Sequence, residues 1–150
     1  EDANGEWIMI FPSYLLIVAA AWLITQGAKY ILEAHKDKNT SFKRVITESG
    51  GMPSSHSAVV IAVTTLIMFN EGINSAIFGL AFTFAMIVIY DSMKVRYSTG
   101  IQSIVINKII DEQKLNVPKL RVVKGHTPLE VAVGSAIGFM IGYAAFLIGM

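Results

Sequence analysis

The segment INSAIFGLAFTFAMIVIY, Ile73–Tyr90, has no charged residue and is long enough for a helix to cross the hydrocarbon core of a bilayer. On either side of this segment, three further apolar stretches of similar length occupy much of the chain: Trp7–Ile24, Pro53–Phe69 and Val131–Met150. A hydrophobic fraction of 53% and a mean hydropathy of +0.55 agree with this pattern. We therefore predict an all-α integral membrane protein, a single domain over residues 1–150 with about four transmembrane helices.

Charge is distributed unequally between the two sides of this predicted bundle. Threading the chain through four spans places every Lys and Arg on one side, whereas the other side keeps only acids: Glu1, Asp2, Glu6 and Glu71. Because positive charge resists translocation, we expect the basic side to be cytoplasmic and both termini to lie opposite. The basic residues lie in membrane-adjacent loops, which argues against a nucleic-acid partner. The sequence contains no cysteine, so disulfide and thiol chemistry are excluded.

The connections between spans carry two further expectations. Residues Asn70–Gly72 are too few for anything but a tight turn, so the second and third spans should be antiparallel. The segment Ser98–Leu115 has apolar residues at helical spacing with charges opposite them. We predict that it forms an amphipathic helix at the membrane interface, with a fifth helix packed into the bundle as the alternative.

Two histidine-bearing segments open spans from the basic side. Pro53-Ser54-Ser55-His56 opens the second span, with Pro53 expected at the first helical position. Thr127-Pro128-Leu129-Glu130 opens the fourth span directly after His126 and has the pattern of a capping box. It is followed by a stripe of glycines, four residues apart, that permits close helix packing: Gly134, Gly138 and Gly142. The topology therefore predicts that His56 and His126 meet at one membrane surface.

The residues at this surface are of the types that bind and cleave a phosphate ester. A helix N-terminus offers free N–H groups to an anion, and covalent hydrolysis needs a nucleophile, a group that orients it and an acid. The two histidines and Glu130 can fill these three roles. Each residue also has an ordinary explanation, since an interfacial histidine can be an anchor, Glu130 a helix cap and a basic loop residue a topology signal. Their convergence on one face favours a phosphate site, with nearby cations at Lys29, Lys43, Arg44, Lys94 and Arg96.

Three sequence motifs extend this interpretation. The block Gly-Gly-Met-Pro-Ser-Ser-His-Ser-Ala spans Gly50–Ala58, Asp91 is followed by Val95-Arg96 and then by Gly-x-Gln, and Gly-His-x-Pro-x-Glu-Val spans Gly125–Val131. Together they resemble the divergent branch of the type-2 phosphatidic-acid phosphatase superfamily, which also contains the vanadium haloperoxidases. The chain departs from the general superfamily motifs at four places, one of which is Leu120 where the third motif has arginine. Ser55 stands where Pro-Ser-Gly-His has glycine, Glu130 replaces an aspartate, and no Arg-Pro follows Lys29.

The resemblance implies a role for each candidate residue and a phosphatidic-acid-phosphatase-like helical bundle. His126 would be the nucleophile, Glu130 would orient it, and His56 would protonate the leaving oxygen. Lys29 and Arg96 would bind phosphate oxygens, with Arg96 assigned by topology because the motif arginine is missing. The remaining substrate-binding candidates are the segment around Ser54 and Ser55, with Asp91, Lys43 and Arg44. No metal or other cofactor is expected.

The function implied is dephosphorylation of a lipid phosphate, or of a prenyl phosphate or diphosphate, at the cytoplasmic membrane face through a phosphohistidine. One alternative is a non-enzymatic membrane protein that binds or transports a phospholipid or prenyl phosphate. A second is a structural or assembly protein that uses the glycine stripe. A vanadate-dependent peroxidase is disfavoured for a chain so deeply embedded. Membrane lipids are the expected surroundings, and the thin four-span bundle makes a homodimer a possible assembly.

Overall fold

The computed structural model describes residues 13–36 and 50–150, and within these ranges every regular element is helical. The elements are α1 (Ser13–Lys36), α2 (Ser55–Glu71), α3 (Ala76–Tyr90), a π-helical turn (Asp91–Val95), α4 (Arg96–Glu112) and α5 (Pro128–Leu147). The predicted beginning of the first span, Trp7–Pro12, lies outside the described residues, as do Lys43 and Arg44. The all-α prediction is confirmed for the described part of the chain.

Among the residues that the structure describes, three helices have the length and hydropathy of membrane spans: Tyr14–His35, Ala76–Glu112 and Pro128–Leu147. The fourth predicted span, α2, is apolar but has only 17 residues. That length is about 26 Å of helix, close to the lower limit for crossing a hydrocarbon core of about 30 Å. The structure is therefore that of a helical membrane protein with three long apolar helices and one shorter one.

The structure confirms a helix over most of Ser98–Leu115 but joins it directly to the third predicted span. The helix α3 continues through the π-helical turn into α4, which gives 37 uninterrupted residues. No proline lies between Tyr90 and Arg96, so nothing at this point forces the chain to leave the helix. At about 55 Å, the continuous helix exceeds the hydrocarbon thickness of about 30 Å, and α4 extends beyond it on the basic side.

The start of α2 also differs from its predicted position. Pro53 was expected as the first helical residue, but the helix begins at Ser55 with Ser54 as its N-cap. The Ser54 hydroxyl accepts a hydrogen bond from the Ser57 N–H, which is the bond a capping serine makes. Pro53 therefore precedes the cap instead of entering the helix.

The glycine stripe of α5 packs directly on α2. A Cβ atom added to any of the three glycines would collide with a backbone carbonyl oxygen of α2, in the pairs Gly134–Ser54, Gly138–Ala58 and Gly142–Ala62. Both members advance by four residues from pair to pair, so the two helices run parallel. Near the far end, the Asn70 side chain donates a hydrogen bond to the Met150 carbonyl, with the same separation of 80 residues. The predicted close packing is confirmed, and it sets the N-termini of α2 and α5 side by side.

The remaining helices border this pair. A small core joins α1 to both α2 and α5 through Ile17, Ala21, Ala62, Leu66 and Ala145. In α3, by contrast, Ala85 is buried while Leu80 and Phe84 are 70% and 59% exposed. Exposed apolar side chains on a membrane helix face lipid, so α3 borders the bundle and a cleft remains between α1 and α3 over α2.

Candidate active site

A cavity of about 770 Å³ lies at the N-terminal ends of α2 and α5 and extends between α1 and α3. Its polar lining comes from α1, α2, the start of α4 and the segment before α5: Gln26, Lys29, Ser55, His56, Arg96 and His126. Its apolar lining comes from α1, α2 and α3: Leu15, Val18, Ala19, Trp22, Val59, Val60, Phe84 and Val88. The cavity is thus amphipathic, with one cationic end and one hydrocarbon-lined end.

His126 is held by its backbone and by its ring. Its N–H donates to the Ser92 carbonyl at 3.0 Å, and its Nδ1 lies 2.9 Å from Glu130 Oε2. Because an ionised carboxylate only accepts hydrogen bonds, Nδ1 carries the proton and donates it. In the neutral ring this tautomer leaves the lone pair on Nε2, which is the form of histidine that can attack an electrophile. With 7% of its surface exposed, His126 is a buried, oriented base.

The π-helical turn supplies the carbonyl that fixes the His126 backbone. In an α-helix the Ser92 carbonyl would accept from the N–H of Arg96, but here that N–H bonds to the Asp91 carbonyl. The Ser92 carbonyl is thereby left for the N–H of His126. Sequence reasoning missed Ser92, since the residues of the turn carry no local signal for a π-helix.

Gly125 allows the segment carrying His126 to reach this turn. A Cβ at position 125 would lie 2.7 Å from the Met93 carbonyl oxygen and 2.9 Å from the Tyr97 nitrogen. Both neighbours are backbone atoms of a continuous helix, which cannot move aside. The glycine before His126 is therefore a requirement of close backbone approach.

Glu130 is at once a helix cap and the partner of His126. The predicted capping box is present: the Thr127 hydroxyl accepts from the N–H of Glu130 at 3.3 Å, and Glu130 Oε2 accepts from the N–H of Thr127 at 3.2 Å. The same Oε2 atom accepts from His126 Nδ1. The two explanations considered for this residue are therefore compatible, because one carboxylate oxygen serves both bonds.

His56 faces His126 in a different setting. The two ring centroids are 5.7 Å apart with the planes inclined at 61°. Arg96 Nη2 lies 3.3 Å from His56 Nε2, and a guanidinium only donates, so this nitrogen accepts and the ring proton is on Nδ1. That Nδ1 is buried and has no hydrogen-bond partner. The ring is therefore neutral in this arrangement, with its one N–H unsatisfied.

The two serines before His56 have separate functions. Ser54 is fully buried; its N–H donates to the Glu130 carbonyl at 3.1 Å, and its hydroxyl accepts from Ser57. The expectation that the Ser54 N–H binds phosphate is therefore wrong, because this group already joins α2 to α5. Ser55 lines the cavity, and its N–H lies at the first helical position, where no carbonyl of the preceding turn is available.

Lys29 and Arg96 enter the cavity from opposite sides. Lys29 is 6% exposed, and it packs beside Gly51, where a Cβ would lie 2.7 Å from the Lys29 Cε. Gly51 has a φ of +84°, a backbone conformation that favours glycine. Arg96 follows the π-helical turn and reaches His56. Arg96, which was assigned from the topology and not from the motif spacing, therefore lies in the cavity as a cation.

Three other predicted substrate-binding residues are not brought together with this group. Asp91 is exposed and does not line the cavity, because it precedes the buried Ser92 and lies on a different face of the helix. Lys43 and Arg44 lie outside the described residues. Conversely, Gln26 lines the cavity but was not among the predicted site residues. Its position three residues before Lys29, on the same helix face, was the signal that could have identified it.

Comparison with known proteins agrees with this geometry. The family described as the divergent PAP2 family matches residues 12–141. The chain is similar to the uncharacterized membrane protein YuiD of Bacillus subtilis (strain 168), with 34% identity over 151 residues covering 91% of this chain and 94% of that protein. No solved structure matches the chain. The matched region includes the whole cavity, and the chain belongs to the divergent PAP2 family.

Proposed function

We propose that this protein hydrolyses the phosphate ester or diphosphate of a membrane lipid through a phosphohistidine at His126. The observation that carries the proposal is the pairing of His126 with Glu130 at 2.9 Å, opposite His56 and Arg96 in one cavity. A buried imidazole whose Nδ1–H donates a hydrogen bond to a carboxylate is oriented to act as a nucleophile through Nε2. The side chains present can supply the nucleophile, the acid and the anion-binding groups of the reaction.

In the first step, His126 Nε2 attacks phosphorus and the bond from phosphorus to the lipid oxygen breaks. The phosphorylated imidazole is cationic, and Glu130 stabilises that charge through its bond to Nδ1. Arg96 and Lys29 bind the phosphate oxygens together with the N–H of Ser55. The leaving oxygen takes a proton from His56, and the lipid alcohol departs.

In the second step, water attacks the phosphohistidine and gives its proton to His56. The bond between phosphorus and His126 Nε2 breaks, which releases inorganic phosphate and restores both histidines. For His56 to act first as an acid, its Nε2 must exchange the Arg96 hydrogen bond for a proton. A bound phosphate favours this exchange, since it draws the guanidinium to itself and stabilises a cationic ring.

The apolar half of the cavity supports a lipid as the substrate. Val18, Ala19 and Trp22 of α1 face Val60 of α2 and Phe84 of α3 along the hydrocarbon-lined end. A chain attached to a phosphate bound at Lys29 and Arg96 can extend into this end without crossing a polar surface. The open cleft between α1 and α3 would admit such a chain laterally from the bilayer.

The test is phosphate release from purified protein supplied with lipid phosphates in detergent micelles. We expect release by the parent and a loss of about 10⁴-fold or more in His126→Ala, as for other lost nucleophiles. The matched control is His35→Ala, since His35 is exposed, does not line the cavity and bonds to the Ile31 carbonyl of its own helix. Equal release by His126→Ala would end the phosphohistidine mechanism. Binding of lipid phosphates without any release would favour the non-enzymatic alternative, a protein that binds or transports a phospholipid or prenyl phosphate.

The same proposal places the cavity at the cytoplasmic membrane face. In the predicted topology every Lys and Arg lies on the side of the cavity, and positive charge retains that side in the cytoplasm. Because the chain contains no cysteine, single substitutions can be labelled cleanly. We expect a membrane-impermeant maleimide added outside intact cells to label Gly72→Cys and not Asn116→Cys. The reverse labelling pattern would invert the topology.

A further inference from the structure

Gln26 lies at the boundary between the two halves of the cavity. It follows Trp22 by four residues and precedes Lys29 by three, and all three side chains line the cavity along one face of α1. Trp22 belongs to the hydrocarbon-lined end and Lys29 to the cationic end. A ligand with its phosphate at Lys29 and its chain at Trp22 must pass Gln26 with the atoms that join phosphate to chain.

The amide oxygen of Gln26 is buried without a hydrogen-bond partner. Only 7% of the residue is exposed, and its Oε1 accepts no hydrogen bond. Buried polar side-chain atoms in folded proteins nearly always have a partner, and an orphan is destabilising. In the described part of the chain, Gln26 Oε1 and His56 Nδ1 are the two such orphans, and both residues line this cavity. The protein therefore holds an amide at the site that its own groups do not satisfy.

The chemistry of the neighbours indicates which ligand group the amide meets. Lys29 and Arg96 only donate hydrogen bonds and suit phosphate oxygens, whereas the buried Oε1 of Gln26 only accepts and therefore needs a ligand group that donates. A hydroxyl group is a donor that can stand between a phosphate and a hydrocarbon chain. We infer that Gln26 binds a hydroxyl on the carbon atoms between the phosphate and the chain of the substrate.

This inference rests on the proposed function and narrows its substrate class. A lipid phosphate built on a polyol, such as a glycerol phosphate with a free hydroxyl, satisfies Gln26. A prenyl phosphate has no hydroxyl in this region and leaves the amide unpaired. Sites that hydrogen-bond a substrate hydroxyl discriminate strongly against analogues lacking it, because the buried polar group then has no partner. Gln26 is thus a specificity residue for polyol phosphates over prenyl phosphates.

The test compares two single-chain substrates of equal length: a lysophosphatidic acid, which has a free hydroxyl, and an alkyl phosphate, which has none. We expect the parent protein to favour the hydroxyl-bearing substrate in kcat/KM by about 10-fold or more. Gln26→Met keeps the length of the side chain and removes its amide, so the preference should fall close to unity. The matched control is Gln102→Met, because Gln102 is an exposed glutamine of α4 that does not line the cavity. Equal use of both substrates by the parent, or a preference that survives Gln26→Met, would overturn the inference.

A binding measurement separates this inference from the proposed function. The chain has two tryptophans, so Trp7→Phe leaves Trp22 as the single tryptophan, one helical turn from Gln26, and its emission can be excited selectively over that of tyrosine. If neither substrate releases phosphate, the hydrolytic proposal fails, and the two phosphates are titrated against Trp22 fluorescence instead. Tighter binding of the hydroxyl-bearing phosphate, lost in Gln26→Met, would still support the assignment of Gln26. Equal affinities would refute it.

Discussion

The N-termini of α2 and α5 present the same residue type to one cavity but hold it in opposite ways. His126, before α5, has its N–H bonded to the Ser92 carbonyl and its ring bonded to Glu130. His56, in the first turn of α2, has a cation as its partner and an unsatisfied Nδ1. One imidazole is fixed beside an anion, and the other is weakly held beside a guanidinium. Under the proposed mechanism, this contrast assigns the nucleophile to the fixed ring and the proton exchange to the weakly held one.

Replacing His56 tests the weakly held side of this comparison. His56→Ala should lower kcat by about 10²- to 10⁴-fold on an alkyl phosphate, the range for a lost general acid. The loss should be smaller on an aryl phosphate, whose leaving oxygen needs little protonation. Phosphate-release rates on the two substrates provide the measurement. An equal loss on both substrates would show that His56 does not protonate the leaving group.

Replacing Glu130 tests the fixed side. Glu130→Gln can keep both hydrogen bonds of Oε2, because a glutamine oxygen accepts from Thr127 and His126 alike. Only the negative charge is lost, so we expect near-parental stability and a fall in kcat of about 10- to 150-fold, the scale of a hydrogen bond to a charged group. Single-turnover kinetics and thermal unfolding check the two parts.

Glu130→Ala separates the cap from the charge. It removes both hydrogen bonds, so it should cost about 1 kcal/mol of stability in addition to the loss of rate. If Glu130→Gln retains full activity, the carboxylate serves the cap alone, and the proposed difference between the two histidines disappears.

The smallest expected effect concerns the contact that brings the two N-termini together. In Gly138→Ala, the new Cβ would collide with the Ala58 carbonyl oxygen, and neither backbone can relax freely. We expect a loss of about 1–3 kcal/mol, as for overpacking of a tight core, with a matching loss of activity. Gly79→Ala is the control, since a Cβ there meets nothing within 4 Å. Unfolding in a denaturing detergent compares the two, and equal stability would mean that the helices are not in close contact.

Much of this arrangement follows from local rules that a sequence displays. The capping box is complete within Thr127–Glu130, and the glycine stripe needs only the helical repeat to define a face. Charge placement and span count then bring His56 and His126 to the same end. The parallel orientation of α2 and α5 could therefore be predicted without coordinates, whereas the glycine stripe does not indicate which helix packs against it.

Other features depend on contacts between distant segments and could not be predicted. The π-helical turn leaves the Ser92 carbonyl without a partner inside the helix, and the N–H of His126, from a distant segment, donates a hydrogen bond to it. The burial of Gln26 depends on neighbours from other helices, and the capping role of Ser54 competes with its predicted phosphate contact. The continuity of α3 with α4 was missed because an amphipathic pattern indicates which face of a helix is apolar but not where the helix begins or ends.

The four-residue spacing of the close contacts along α2 and α5 fixes the register of the two helices. Four residues correspond to about 6 Å along the helix axis. A slide by four residues would set Gly142 against Leu66 in one direction or Gly138 against Ser54 in the other. In either direction it would break the hydrogen bond from Ser54 to Glu130 at one end and from Asn70 to Met150 at the other. Displacements of fewer than four residues would set larger side chains of α5 against the carbonyl groups of α2, so the contact favours the one alignment that places both imidazoles in one cavity.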